Sequence, residues 1–130
     1  MLSVDTNVLV RFLVRDHPEQ SAQAGELIHD NRIWIAKSVL LETEWVLRDP
    51  YAYSPVQVAA AFRELSGLPQ VEIEDELHVA QAFDWFESGM DFADALHLAS
   101  SGGAREFATF DRRFASKAAK VATIKVLTLH

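Results

Sequence analysis

Short apolar runs alternate with longer amphipathic segments along the whole chain. Runs of strand length occur at residues 2–5, 33–36, 71–73, 106–110 and 125–129. This alternation is typical of an α/β fold in which helices cover both faces of a parallel sheet. Residues 8–14 are nearly all apolar, so periodicity alone leaves open whether residues 7–15 form a helix or a long buried strand.

Further helices are predicted over residues 19–30, 37–48, 55–67, 75–87, 91–101 and 112–120. Ser54 is expected to cap one of these helices with Pro55 at its first position, and Asp91 is expected to cap another. The helix over residues 75–87 is expected to face the core with Leu77, Ala80, Phe83 and Phe86.

The composition is that of a globular domain. With 130 residues, 49% of them hydrophobic, the chain can bury a core, and a single domain spanning residues 1–130 is expected. No stretch approaches the roughly 20 apolar residues that a membrane span requires, and no secretory signal precedes the first strand. We therefore expect a cytoplasmic protein.

Cysteine content and net charge restrict the possible chemistry. The absence of cysteine excludes disulfides, thiolate zinc sites and thiol nucleophiles, so oxygen atoms or histidines would have to bind any metal. Such ligands favour Mg²⁺ or Mn²⁺. The net charge of −7 argues against a protein that coats nucleic acid through overall basicity. It does not exclude a nuclease whose negative charge is concentrated at a metal site.

Two aspartates follow predicted strands directly. Asp5 ends the first strand, and Asp111 comes after the run at residues 107–110. Each could cap the helix that follows by accepting hydrogen bonds from free backbone N–H groups. Alternatively, each could belong to a site, because sites in open α/β sheets form at the carboxyl ends of the strands.

Two further carboxylates lie within predicted helices. Glu42 projects on an apolar side of its helix, where burial is costly without a partner such as a metal. Glu44, in contrast, is expected to pair with Arg48 on the solvent-facing side. Asp94 projects on the polar side of its helix with Asp91, either as part of a solvated first turn or in an acidic pair that tolerates a cation.

One hypothesis unites Asp5, Glu42, Asp94 and Asp111 as carboxylates that converge on one point. Two charges ~4 Å apart repel by about 1 kcal/mol in water and about 4 kcal/mol near a protein surface, so such a cluster needs a divalent cation or shared protons. That arrangement indicates hydrolytic metal chemistry. The neighbouring bases Arg11 and Arg112 lie either on solvated helix faces or at a phosphate-contacting rim.

Four pieces of the sequence point to a known family when taken together. They are Val4-Asp5-Thr6-Asn7, the helical Glu42, Phe92-Ala93-Asp94-Ala95-Leu96-His97 and Thr109-Phe110-Asp111. In this order and spacing they resemble the PIN-domain ribonucleases, especially the VapC-like toxins of bacterial toxin–antitoxin pairs. The resemblance extends over essentially the whole chain.

The resemblance implies a three-layer α/β/α sandwich with a five-stranded parallel sheet. It also implies that the catalytic, metal-binding carboxylates are Asp5, Glu42, Asp94 and Asp111. Asn7 and Thr109 would support them or position water, while Mg²⁺ or Mn²⁺ would activate water for attack on an RNA phosphodiester. Arg11 and Arg112 are the candidates for phosphate contacts. The implied partners are the RNA substrate, a cognate antitoxin that occludes the active site, and a second copy in a homodimer.

Other interpretations stay open. A haloacid-dehalogenase-like phosphatase needs a second aspartate two residues after the first, where this chain has Asn7. A receiver-like signalling domain needs an aspartate on the third strand, and residues 71–74 offer none. A PIN-like ribonuclease outside toxin–antitoxin systems and a protein-binding module with residual nuclease activity are two further alternatives.

Overall fold

The chain forms two compact units in the computed structural model, which describes residues 1–130 throughout. The units comprise Met1–Glu76 and Leu77–His130. Each unit contains its own parallel sheet and its own helices. The single-domain organisation expected from the sequence stays a prediction.

The first unit contains a three-stranded sheet and four helices. In chain order they are β1 (Leu2–Ser3), α1 (Thr6–Val14), α2 (Pro18–Asp30), β2 (Ile33–Ile35), α3 (Lys37–Arg48), α4 (Pro55–Ser66) and β3 (Val71–Ile73). The strands pair in the order β1-β2-β3, all parallel, with Leu2 opposite Ile33 and Ile33 opposite Val71. Two helices connect each neighbouring pair of strands, as the crossover in a parallel sheet requires.

The second unit contains a two-stranded parallel sheet. Its elements are α5 (Glu76–Glu87), which begins at the last residue of the first unit, α6 (Phe92–Ala99), β4 (Glu106–Thr109), α7 (Arg112–Val121) and β5 (Lys125–Thr128). Glu106 lies opposite Lys125 and Thr109 opposite Thr128. No helix of the chain is both long and apolar enough to cross a lipid bilayer.

The strand prediction is confirmed in part. All five predicted strands exist and every pairing between them is parallel, but the structure shows sheets of three and two strands instead of one five-stranded sheet. The strands are only two to four residues long, and strand pairing depends on long-range placement that a local apolar pattern does not encode. The three-layer sandwich stays a prediction.

The ambiguous run near the start of the chain is a helix. Asp5 caps α1, because its Oδ1 accepts a hydrogen bond from the backbone N–H of Val8 at 3.1 Å. Arg15 follows the helix with φ of 60°, a left-handed conformation that ends it. The predicted caps of α4 and α6 are also confirmed, since Ser54 forms a capping box with Gln57 and Asp91 accepts from the N–H of Asp94.

Two predicted helix faces are wrong. In α3 the buried residues are Leu40, Thr43, Glu44 and Leu47. Glu44 is therefore not solvent-facing: it is only 3% exposed, and Arg48 Nε donates to its Oε2 at 2.8 Å. Glu42 is the exposed glutamate. The projection of apolar positions on the helix misplaced this face because polar side chains can be buried once their polar atoms form hydrogen bonds. Thr43, for example, donates to the backbone carbonyl of Val39.

The second error concerns α5. Leu77 is 85% exposed instead of facing the core. The buried stripe of this helix consists of Val79, Ala82, Phe83 and Phe86. Phe83 and Phe86 are thus buried as predicted, and the stripe follows the spacing i, i+3, i+4, i+7 from Val79, which leaves Leu77 outside it.

Candidate functional site

Two of the predicted acids line one cavity of the first unit. Asp5 and Glu42 share this cavity of about 310 Å³ with Thr6, Asn7 and Val46. Thr6 Oγ1 donates a hydrogen bond to Glu42 Oε1, which ties the start of α1 to the middle of α3. The two carboxylates, 37 residues apart in sequence, therefore face a common space.

The turn from β1 into α1 places Asp5 in the wall of this cavity. One carboxylate oxygen of Asp5, Oδ1, caps α1, and the positive end of the helix dipole stabilises the negative charge of Asp5. Asn7 is exposed and lines the same cavity. Its side chain amide therefore lies where it can hydrogen bond to water or to a polar ligand in that cavity.

Arg11, the first predicted phosphate contact, lies within a polar network. Its Nε donates to Gln20 at 2.7 Å, and its Nη1 lies 3.2 Å from both Asp16 Oδ1 and the hydroxyl of Tyr51. It also lines a cavity of about 410 Å³ whose walls include Asp5 and Asn7. Asp16 thus balances the guanidinium charge beside this cavity, and a phosphate contact by Arg11 stays a prediction.

The second unit brings the other two acids close enough to interact electrostatically. Burial raises the pKa of Asp94, and the negative charges of Asp91 and Asp111 raise it further. The positive charges of His97 and Lys117 oppose this shift without cancelling it. Asp94 therefore lies in a partly buried, negatively charged environment that favours its protonated form when no cation is bound.

Asp111 stands at the turn from β4 into α7. Its Oδ1 accepts a hydrogen bond from the N–H of Phe114 at 3.0 Å, which makes it the cap of α7. Its own N–H donates to Thr109 Oγ1 at 2.9 Å. Thr109 therefore holds the backbone of Asp111 in place, and its supporting role in a functional site stays a prediction. Arg112, the second predicted phosphate contact, is exposed.

The donor set fits a hard divalent cation. None of the four predicted acids forms an ion pair with a lysine, arginine or histidine. Within neither unit do three or more acidic or histidine side chains form a ready-made metal-binding group. Two carboxylates per unit are nevertheless enough for Mg²⁺, which usually takes one or two protein carboxylates and keeps several waters.

Sequence reasoning missed Thr6. It stands within the Val4-Asp5-Thr6-Asn7 piece, yet no role was assigned to it, although its hydroxyl holds the Glu42 carboxylate. Thr6 is only 9% exposed. The available signal was a threonine that follows an acid and directly precedes the helix predicted from residue 7, but its partner lies 36 residues away and no local pattern identifies it.

Comparison with protein families gives a direct result. The model of the PIN domain matches residues 2–120, a stretch that includes all the predicted acids as well as Asn7, Arg11, Thr109 and Arg112. No curated protein matches the chain significantly. The chain belongs to the PIN domain family, whose members are generally metal-dependent nucleases that act on nucleic acids.

Proposed function

We propose that this protein is a metal-dependent endoribonuclease and acts as the toxin of a toxin–antitoxin pair. The observation that carries the proposal is the PIN-domain match over residues 2–120, within which Asp5 and Glu42 line one cavity. In agreement with it, burial and two neighbouring carboxylates raise the pKa of Asp94, and no basic side chain pairs with it. A divalent cation is the ligand that relieves such repulsion between carboxylates.

The residues that would hold Mg²⁺ or Mn²⁺ are Asp5, Glu42, Asp94 and Asp111. When bound, the ion supplies a Lewis acid that lowers the pKa of water and offsets the charge of the phosphodiester. The other residues of the chain would hold these carboxylates in position. Thr6 fixes the rotamer of Glu42 through its hydroxyl, and Thr109 fixes the backbone that presents Asp111. Asn7 lines the cavity of Asp5 and Glu42, where it would orient water or substrate.

The finer parts of the proposal rest on the resemblance to VapC-like toxins. They are the RNA substrate, the cognate antitoxin and the homodimer, whereas the cytoplasmic location is proposed from the sequence pattern alone. A haloacid-dehalogenase-like phosphatase is not favoured, because Asn7 replaces the second aspartate of that class and the matching family is a nuclease family. A PIN ribonuclease outside toxin–antitoxin systems is the second candidate, since family membership alone supports it equally well.

Cleavage of a labelled RNA tests the nuclease. We expect cleavage with Mg²⁺ or Mn²⁺ and none with EDTA. Asp5→Asn, Glu42→Gln, Asp94→Asn and Asp111→Asn should each lower the rate by roughly a hundredfold or more, because each removes a charged ligand while keeping the shape of the side chain.

The matched control is Asp30→Asn, an exposed aspartate at the end of α2 outside both acid pairs. It should cleave like the wild type. Circular dichroism verifies that each variant is folded. Wild-type rates in the folded Asp5→Asn and Asp94→Asn proteins would overturn the nuclease assignment.

Expression in bacterial cells tests the toxin role separately. Growth should stop on induction of the wild type and continue with Asp94→Asn. RNA cleavage in vitro without growth arrest would favour the ribonuclease outside toxin–antitoxin systems. Arrest that persists in the Asp5→Asn protein would instead favour a protein-binding module.

A further inference from the structure

A cavity of the second unit contains none of the residues proposed for the nuclease. Its volume is about 510 Å³, within the range of about 300 to 1,000 Å³ that is usual for small-molecule sites. Its walls come from one side of α5, the last residues of α6, the loop before β4 and the segment between α7 and β5. Any ligand of this cavity would therefore bind outside the proposed nuclease site.

The cavity lies at the edge of the β4-β5 sheet where both strands begin. Arg105 comes directly before β4, and Thr123 and Ile124 come directly before β5. Asp111 follows the other end of β4. This strand is four residues long, which corresponds to about 13 Å. The strand therefore separates the cavity from Asp111.

The apolar part of the lining includes an aromatic ring. On α5, His78, Gln81 and Trp85 follow the spacing i, i+3, i+7, one position before the buried stripe of this helix. Trp85 is half-buried. Leu77 and Val121, two of the large apolar side chains that the chain exposes, also line the cavity. A ligand with an apolar body would remove part of these side chains from water, which favours binding.

The polar part of the lining is suited to negative charge. No aspartate or glutamate lines the cavity. The side chain of Arg105 is exposed and forms neither an ion pair nor a hydrogen bond within the protein. The indole N–H of Trp85 and the side chains of Gln81 and Thr123 also have no hydrogen-bond partner in the protein. An unpaired guanidinium that lines a cavity without carboxylates is complementary to an anion.

We propose that this cavity binds a small organic anion with an aromatic body, of the class of the aromatic carboxylates. The ring packs against Trp85 and the apolar side chains, and the guanidinium of Arg105 donates hydrogen bonds to the carboxylate. Gln81 and Thr123 supply further polar contacts at the rim. A cationic ligand would find no carboxylate here. The proposal does not depend on the proposed function, because the two sites share no residue.

The probe for this site is naphthalene-2-carboxylate, and the uncharged control ligand is naphthalene-2-carboxamide. Each is titrated into the ¹⁵N-labelled full chain in EDTA and followed by ¹H–¹⁵N correlation spectra. The chain contains three tryptophans, so three indole signals are expected, and Trp85→Phe identifies that of Trp85. This signal should move while those of Trp34 and Trp45 stay in place.

Affinity for the carboxylate should be modest. A ligand with about 13 non-hydrogen atoms is expected to bind with a Kd on the order of 1 mM. The carboxamide should bind roughly fivefold to tenfold more weakly, because it lacks the charge-assisted hydrogen bonds to Arg105.

Three variants separate a contact in the cavity from an effect of net charge. Arg105→Gln should weaken binding of the carboxylate roughly fivefold to tenfold and leave binding of the carboxamide unchanged. Arg113→Gln removes the same charge from an exposed position of α7 that does not line the cavity, and it should change neither affinity. Ala104→Phe, at an exposed position in the wall, should fill the space and weaken binding of both ligands by about tenfold or more. Circular dichroism verifies that each variant is folded.

Equal affinity for the two ligands would overturn the proposal, as would equal weakening by Arg105→Gln and Arg113→Gln. An unmoved Trp85 signal at about 10 mM carboxylate, roughly tenfold above the expected Kd, would overturn it as well. If Ala104→Phe does not fold, the comparison of the two arginine variants still decides. RNA cleavage by Arg105→Gln in Mg²⁺ should equal that of the wild type, so the anion site and the nuclease can each fail without the other.

Discussion

The surroundings of Asp94 make the stability of the metal-free protein depend on pH. The pKa of Asp94 is raised, so between the ordinary aspartate pKa of 3.8 and the raised value the folded protein binds more protons than the unfolded chain. The stability of the metal-free protein should therefore fall as pH rises through that window. Above it, the folded state holds a charge that its surroundings disfavour.

We predict that Asp94→Asn stabilises the metal-free protein at pH 7. The gain should be a few tenths to about 1 kcal/mol, because the carboxyl is only partly buried and its repulsion is screened by water. The gain should vanish below the ordinary aspartate pKa, where the wild-type group is neutral in both states. Urea denaturation in EDTA at pH 7 and in acid measures this difference, and Glu26→Gln, at an exposed position in the interior of α2, should show no comparable gain. A variant that is less stable than the wild type at pH 7 would contradict the argument.

Glu44 shows which residues a sequence pattern misplaces. The pattern of apolar positions predicted that Glu42 lies on the inner face of α3 and Glu44 on the solvent-facing side. In the structure Glu42 is exposed and Glu44 is buried. Burial of Glu44 depends on its bond to Arg48, and that of Thr43 on its bond to a backbone carbonyl. Such satisfaction of polar atoms depends on side-chain geometry, which hydrophobicity alone does not describe.

Helix N-termini position two of the proposed metal-binding acids. Asp5 and Asp111 each follow a strand and cap the next helix through one carboxylate oxygen. The two interpretations left open by the sequence, cap and site residue, are therefore compatible. One oxygen holds the helix, and the cap fixes the direction in which the carboxylate points.

The two roles of Asp111 can be separated by a pair of variants. We predict that Asp111→Asn and Asp111→Ala both lose RNA cleavage, because both remove the charge. Only Asp111→Ala also loses the acceptor for the N–H of Phe114, so it should be less stable than Asp111→Asn by about 1 kcal/mol. Thermal unfolding in EDTA measures the difference. Equal stability of the two variants would show that the cap contributes nothing to the fold.

Local capping signals explain why some helix boundaries were predictable. The helix predicted from Pro55 begins at Pro55 behind its Ser54 cap, and the helix predicted from Arg112 begins at Arg112 behind its Asp111 cap. Capping side chains and proline act within three or four residues of the boundary, so they can be read locally. The pairing of strands two to four residues long depends on distant partners, which explains why the sequence did not predict two separate sheets.

At the scale of the whole molecule, the excess negative charge is confined to part of the chain. The first unit contains thirteen acidic and six basic side chains, whereas the second contains six of each. The net charge of −7 therefore belongs to residues 1–76. Candidate acids occur in both units, but only the first unit has more acidic than basic side chains.

This distribution predicts a difference between screening and specific cation binding. NaCl should raise the melting temperature of the EDTA-treated protein modestly, because it screens repulsion among the acids of the first unit. MgCl₂ at the same ionic strength should raise it further and in a concentration-dependent way, because an ion that binds only the folded state adds RT ln(1 + [Mg²⁺]/Kd) to stability.

Asp5→Asn and Asp94→Asn should each reduce the additional effect of Mg²⁺ while leaving the response to NaCl nearly unchanged, and Asp30→Asn should leave both unchanged. Identical melting temperatures in the two salts would show that the carboxylates respond to ionic strength alone, and the proposed metal-binding role of these acids would then be wrong.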